Sequence, residues 1–364
     1  DEEAIAFAAT RGFEPPAAIV ANRIPVDGTT LKYSDIRESD LQSDPASAPP
    51  LNTVAGSLVP VPGYFDNAGG ILAGTAFGTE ASGIRASTAG EFLYRDAFVL
   101  SNGSGNNRFP IRAGTDGADV GSPLTAAEVR AVLEEAFVVL TRARAQIRRP
   151  LDSRMQASIS IVDTHGEILG IVRSPDAPMF GIDVSLQKAR TASFFSSARA
   201  AASLQANPSP DVQQFVQATR DFLDDPTALT GGFAFSDRAG GNLSRPYFPD
   251  GEVGRPHGPL SRPIESFNPF STGLQSALVL NNIVQHVGFI FGMNADTPAR
   301  CTATPDVAPG QNPLENGIQI FPGSVPIYRG NTLIGGIGVS GDGIDQDDMV
   351  SFLGLHNGAQ RQTG

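Results

Sequence analysis

Apolar residues recur at helical spacing from Leu124 onwards. Val129, Val132, Leu133, Ala136, Phe137, Leu140, Ala143 and Ile147 share one face of a 3.6-residue period. Thr125 and Glu128 stand ahead of that run at capping-box spacing. The pattern predicts a helix over 124–149, with Arg142, Arg144, Arg148 and Arg149 crowding its last turns, where the helix dipole favours cations. The period then drops to two in "MQASISIVDTHGEILGIVRS", which reads as two strands joined at Thr164-His165-Gly166. A helix follows in "GIDVSLQKARTASFFSS", with Ile182, Leu186, Ala189 and Phe194 inward. "SPDVQQFVQATRDFLDDP" predicts another, with Val212, Phe215, Val216, Thr219 and Phe222 inward and Pro226 beyond its end. "GLQSALVLNNIVQHVGFIFGM" predicts a largely buried helix, and "VPIYRGNTLIGGIGVSG" a hairpin around Arg329-Gly330-Asn331. "DQDDMVSFLGLH" closes the pattern as a last helix, with His356 just after it. The expected fold class is α+β, a mostly antiparallel sheet built from two hairpins and flanked by helices.

Outside these segments the periodicity fails. Residues 1–120 are punctuated by turns such as "SDPASAPPL" and "VPVPGYFDNAGG", with short strand-like pieces in "GGILAGTAF" and "EFLYRDAFVL". Such a Pro-rich segment buries too little surface to stand alone, so it reads as an arm wrapped on a neighbouring core. The core is expected over 121–198 and 317–358, with 199–316 inserted between its halves as helices and Pro/Gly-rich loops. The arm and insertion are rich in aromatics: Tyr64, Phe65, Phe77, Phe92, Phe98, Phe233, Phe235, Tyr247, Phe248, Phe267 and Phe270. Disordered segments are poor in such residues, so both regions read as packing surfaces.

Composition narrows the chemistry. The 364 residues carry a net charge of −12, which excludes general nucleic-acid binding and adhesion to an anionic membrane. One cysteine, Cys301, excludes an intrachain disulfide framework and a Cys₄ zinc site, and no CxxCH is present to attach haem covalently. No apolar run reaches the 18 residues of a membrane span. The first residues, "DEEAIAFAAT", lack the basic start of a signal peptide, so any such peptide is expected to have been removed or never to have existed.

"LIGGIGVSGDG" contains GxGxxG at Gly336, Gly338 and Gly341, the spacing of a dinucleotide-binding turn. That fingerprint needs a further strand ending in an acidic residue about 20 positions on, and the chain from Gly341 has room for only a helix and a tail. The same stretch comes close to GxSxG at Ser340, but Asp342 stands where the last glycine belongs. The four carboxylates 342, 345, 347 and 348 lack EF-hand spacing, and a helix N-terminus accounts for them without a metal.

Four separated motifs supply another explanation. They are Val162-Asp163 with Gly166, Leu169 and Arg173; Lys188-Ala189-Arg190-Thr191-Ala192; Gly323 through Gly341; and Asp347 at a helix start. In this order they resemble the HbpS-like/GlcG-like family of haem-binding or haem-degrading domains, over 124–198 and 317–356. The resemblance places the glycines in the last hairpin strand, where they would allow close approach of a helix or backbone. It departs from the short family members in the arm and in about 118 inserted residues, which makes the chain similar to a longer, secreted group.

What the resemblance implies is a periplasmic or secreted, homo-oligomeric protein that binds non-covalent haem, another tetrapyrrole or a small anion without catalysing a reaction. The competing expectation is a structural subunit of an extracytoplasmic complex that kept the fold and lost the ligand; haem degradation is a third. Candidate ligand-binding residues are Lys188, Arg190, Thr191, Arg173, Gly338 and Ser340. Lys188, one of only two lysines, is expected either to meet an anion or to pair with a carboxylate such as Asp163 or Asp183. A haem iron needs an axial ligand in apolar surroundings. Of the four histidines, His165 reads as an exposed turn residue, His257 as a loop residue and His356 as a cation near the end of a helix. His286, flanked by Ile283, Val284, Val287 and Phe291, is the ligand candidate. No catalytic residue and no metal site are assigned.

Overall fold

The computed structural model describes residues 2–41, 53, 65–66, 70–71, 75–94, 96–249, 251–266 and 273–363. Of the aromatics named above, Tyr64, Phe267, Phe270 and the side chain of Phe65 lie outside them. Helices run over Glu2–Ala9 (α1), Gly117–Val120 (α2), Ala126–Arg142 (α3), Gly181–Phe195 (α4), Ala200–Gln205 (α5), Pro210–Leu223 (α6), Asp237–Leu243 (α7), Leu274–Ile290 (α8) and Ile344–Thr363 (α9). Strands Pro25–Val26 (β1) and Thr29–Thr30 (β2) form one small ribbon, and Phe65–Asp66 (β3) with Gly70–Ile71 (β4) another. The main sheet comprises Ile84–Ala86 (β5), Phe98–Leu100 (β6), Ala157–Val162 (β7), Ile168–Arg173 (β8), Ser324–Arg329 (β9) and Thr332–Gly341 (β10), in the order β5-β6-β8-β7-β10-β9. Every pairing is antiparallel, with Ile159 opposite both Val172 and Val339 at its centre. The α+β expectation holds, and both predicted hairpins are present. The sheet is wider than those hairpins because β5 and β6 extend its β8 edge.

All six residues of β7 are buried, because helices cover both faces of the sheet. Ala157, Ile159 and Ile161 join Val129, Leu133, Phe137 and Val350 in a core under α3 and α9. Ser158 and Ser160 point the other way, towards α4, and the Ser160 hydroxyl lies 2.8 Å from that of Ser185. Small polar residues on that side let α4 come close, and β10 completes the contact with glycine. A methyl group on Gly338 would overlap the Ser185 carbonyl and the Ala189 amide, and one on Gly336 the Ala189 carbonyl. The GxGxxG of the sequence is thus a helix-packing surface. A second apolar core gathers Phe194 and Phe195 at the end of α4 with Leu204, Val212, Phe215, Leu274 and Leu278. Phe248 stacks edge-on against Phe222 there, and Phe235 lies against Phe195.

Three local expectations change. Thr125 and Glu128 do form the capping box, but α3 ends at Arg142, where Ala143 turns extended. Beyond it Ala145 is buried, Ile147 is exposed, and Arg148 reaches Asp342 and Asp176. The closing helix runs on through His356 to Thr363. Within α8 only Leu274, Ala277, Leu278, Asn282 and Gly288 are buried, so the predicted largely buried helix is mostly exposed. Its apolar residues are too many for the one side the second core offers.

A side chain at Gly338 must push α4 off β10, so Gly338→Ala should cost about 1–3 kcal/mol, the usual range for overpacking. Urea unfolding should show a lower midpoint with an unchanged slope. An unaltered midpoint would mean that the helix can retreat freely.

Candidate functional site

The candidate residues of α4 point to two different places. Lys188 is 1% exposed; its ammonium donates to the Val339 carbonyl and to Asp347 Oδ2, each at 2.9 Å. Its carboxylate partner is therefore Asp347, at the start of α9, and neither Asp163 nor Asp183. Arg190, two residues on, faces the β7–β8 turn. It donates to the Gly166 carbonyl at 2.9 Å, to Asn316 Oδ1 at 2.7 Å and to Glu315 Oε2 at 2.7 Å. Burial lowers its pKa, with Glu315 opposing that shift. Thr191 donates to the Gln187 carbonyl and accepts from the Gln319 amide, which fastens the 315–320 segment to the helix. Gly338 and Ser340 line the β10 side, where the Ser340 carbonyl lies against Gly181.

Arg173 ends β8 opposite Ser158 and is as deeply buried as Lys188. One guanidinium nitrogen donates to the Ala177 carbonyl, and the group lies 5.7 Å from the Phe77 ring centre. Burial lowers its pKa, with Asp176 the opposing charge.

Around Lys188 the charges are dense. Burial pushes Asp347 up to about 6, outweighing Lys188. Asp237, fully buried at the start of α7, is raised well above the ordinary carboxyl range for the same reason. Asp342 accepts from Arg148 and from the Gln156 amide, and Arg238 joins Asp345 and Asp348. The acidic run that resembled a metal site is thus held by cations and amides of the chain itself.

Two histidines, His165 and His356, differ from expectation. His165 is buried, with Nδ1 2.7 Å from Gln311 and Nε2 2.5 Å from Asp119, which also meets Arg199. Burial alone would lower its pKa, but these partners raise it overall. Glycine is required after it: Gly166 has φ +81°, and its α-carbon side is closed by Asn312 and Pro313. Long-range partners from 112–119 and 311–316 make this turn a buried polar hub, which no local pattern could announce. His257 bonds its neighbour's carbonyl, and His356 is exposed on α9.

His286 is half-exposed on α8. Its Nδ1 lies 2.8 Å from Asp296, and its ring centre lies 6.2 Å from that of Phe289. Asp296 was not singled out from the sequence; it returns to the helix through the turn at Gly292. Its pKa is lowered chiefly by the bond to His286. A neutral imidazole that donates from Nδ1 presents Nε2 as an acceptor.

Next to Arg190 a cleft of about 260 Å³ opens between Phe109 and Ile168, lined also by Arg108, Arg112, Glu167 and Glu315. Arg108 lies over the Phe109 ring, while Arg112 is bound by Glu167. A small anion could reach Arg190 from this side, whereas Lys188 is enclosed.

The buried carboxyl of Asp347 gives a signed pH prediction. Its folded pKa lies above the unfolded value of about 3.9, so the native state holds the proton more tightly. The stability this adds is complete below about pH 4 and is lost as pH rises through about 6. Wild type minus Asp347→Asn should therefore decline by about 2–3 kcal/mol across that window. Parallel urea titrations at several pH values measure it, and a flat difference would refute the shift.

The sequence model of a family described as haem degrading protein HbpS-like matches residues 132–243 and 286–355, half of the chain. No curated protein matches. Among solved structures, the chain is similar to PduOC crystallised as a haem complex, at 17% identity over 64% of this chain and 88% of that one, with a TM-score of 0.25. It is also similar to the ORFY protein of Klebsiella pneumoniae, which carries the DUF336 family model, at 15% identity over 70% and 96% with a TM-score of 0.27. The family match spans half of the chain and covers both hairpins and α4, and it makes this chain a member of the HbpS-like family.

Proposed function

We propose that the protein binds a tetrapyrrole, haem in the first place, or another small anion, and catalyses no reaction on it. It would act in the periplasm or outside the cell, as a homo-oligomer. Among the described residues no helix is long and apolar enough to cross a membrane.

The observation that carries the reading is the pair His286–Asp296 on an apolar helix surface. A metal-ligating imidazole is commonly held by a carboxylate on its other nitrogen, which fixes the tautomer and the ring direction. Phe289 stands exposed beside it, its ring centre 6.2 Å from that of His286, and suits the face of a macrocycle. Bound haem would supply an iron that accepts the imidazole nitrogen as axial ligand. His286 would hold that iron and Asp296 would orient the ring. No Lys or Arg occurs from Ser266 to Ala295, so the fit is to iron and ring, not to the propionates.

For a small anion the cleft at Arg190 is the better place, with Arg108 and Arg112 at its rim. In this proposal Arg190 meets the anion. Lys188, Thr191, Gly338 and Ser340 position α4, and Arg173 contributes from beneath Phe77. The competing reading, an assembly subunit without ligand, is favoured by how much apolar surface α8 leaves open.

Haemin titration decides between them. The wild-type chain should shift the Soret band at one equivalent, and so should His165→Ala and His257→Ala. His286→Ala should abolish the shift, and Asp296→Asn should weaken binding by about 10–100-fold, as for loss of a ligand's supporting bond. A wild-type titration without a band shift would end the haem reading and leave the assembly reading in its place.

A further inference from the structure

One face of α8 is apolar, exposed and free of charge. Leu280, Ile283, Val284, Val287, Ile290 and Phe291 are each between 43% and 72% exposed. At 100° per residue they fall within one arc of the helix, opposite the side that Leu274, Ala277 and Leu278 bury in the second core. Together they present on the order of 600 Å² of surface, at the top of the roughly 300–600 Å² of the largest patch on a typical monomer. One side of a standard protein–protein interface is about 800 Å².

We propose that this face is a two-fold contact with a second copy of the same chain. The proposal deepens the self-association put forward above by naming its surface, and it does not depend on haem. Three observations choose this occupant. Leu280, Ile283, Val287 and Ile290 follow the 3-4-3 spacing of a helix-pairing seam, which a like helix can mesh with. From Ser266 to Ala295 there is no Asp, Glu, Lys or Arg, in a chain of net charge −12. Two copies of so acidic a protein repel each other, and a long uncharged stretch lets them meet without opposing carboxylates at the contact. The area on one chain supplies the greater part of the roughly 800 Å² of one half of an isologous interface, in which the same patch serves both partners. An antiparallel arrangement also opposes the two helix dipoles. His286 lies at the border of the arc, so pairing leaves its imidazole at the edge of the interface.

The family match breaks off at residue 243 and resumes at 286, so Leu280, Ile283 and Val284 of this face lie outside it and Val287, Ile290 and Phe291 within it. Other exposed apolar residues lie on α9, at Phe352 and Leu353, and provide the control.

The test is light scattering coupled to size exclusion on the full chain at micromolar concentration without added haem. The expected mass is that of two chains or a multiple of two. Ile283→Glu with Val287→Glu should halve it, while Phe352→Glu leaves it unchanged. Both α8 positions are exposed in the single chain, so the thermal midpoint of the secondary-structure signal should survive. The milder Ile283→Asn with Val287→Asn should weaken association in the same direction if the glutamates disturb folding. A monomeric wild type overturns both the contact and self-association. A wild-type dimer that survives both α8 pairs overturns this contact alone.

Discussion

The approach of α4 onto β10 is the constraint on which the rest of the core depends. A helix can lie this close to a strand only where neither side carries a side chain between them, and Gly336 and Gly338 meet that condition. The close approach brings Lys188 to the Val339 carbonyl and to the first turn of α9. One ammonium thereby ties together a helix on one face of the sheet, the strand itself and the helix packed on the opposite face. A buried pair of this kind adds little net stability over apolar packing, because removing both charges from water costs about what their attraction returns. Its effect is on geometry: it admits one register of α4 against β10 and one position for the start of α9.

A second polar centre secures another side of α4. The β7–β8 turn offers the Gly166 carbonyl to Arg190, while His165 bridges Gln311 and Asp119. Thr115 and Thr164 add bonds to Asp163 and Asp116. Segments 112–119 and 311–316 thus meet at this hairpin and bury it. Buried polar groups are costly unless bonded, so each added segment is held where its partners are. The cleft beside Arg190 survives at the rim of this arrangement.

The functional reading divides along the same line. The residues that identify the family, on α4 and β10, are spent mainly on holding the fold; only Arg190 opens towards a cleft. The histidine that suits a metal and the surface that suits a second copy both belong to α8, outside the family-defining motifs. The family match resumes at residue 286, so α8 straddles its edge: Leu280, Ile283 and Val284 lie outside it, while His286, Val287 and Ile290 lie within it.

Periodicity alone located the hairpins and most helices, since a six-residue alternation or a four-turn apolar face reflects burial on a known side. The capping box of α3 was legible for the same local reason, whereas the role of the β10 glycines came from the family resemblance. The end of α3 was not, because an apolar rhythm that continues to Ile147 does not reveal that the chain turns extended at Ala143. The sequence could show that Lys188 needed a partner, but Asp347, 159 residues away, becomes that partner only when α9 folds across the sheet. His165 looked like a turn residue, and it is one; its burial comes from segments far along the chain. The exposed face of α8 is the clearest case. An apolar helix in sequence states only that its surface must be covered, and whether by its own core or by another molecule is decided by how much core the tertiary structure provides.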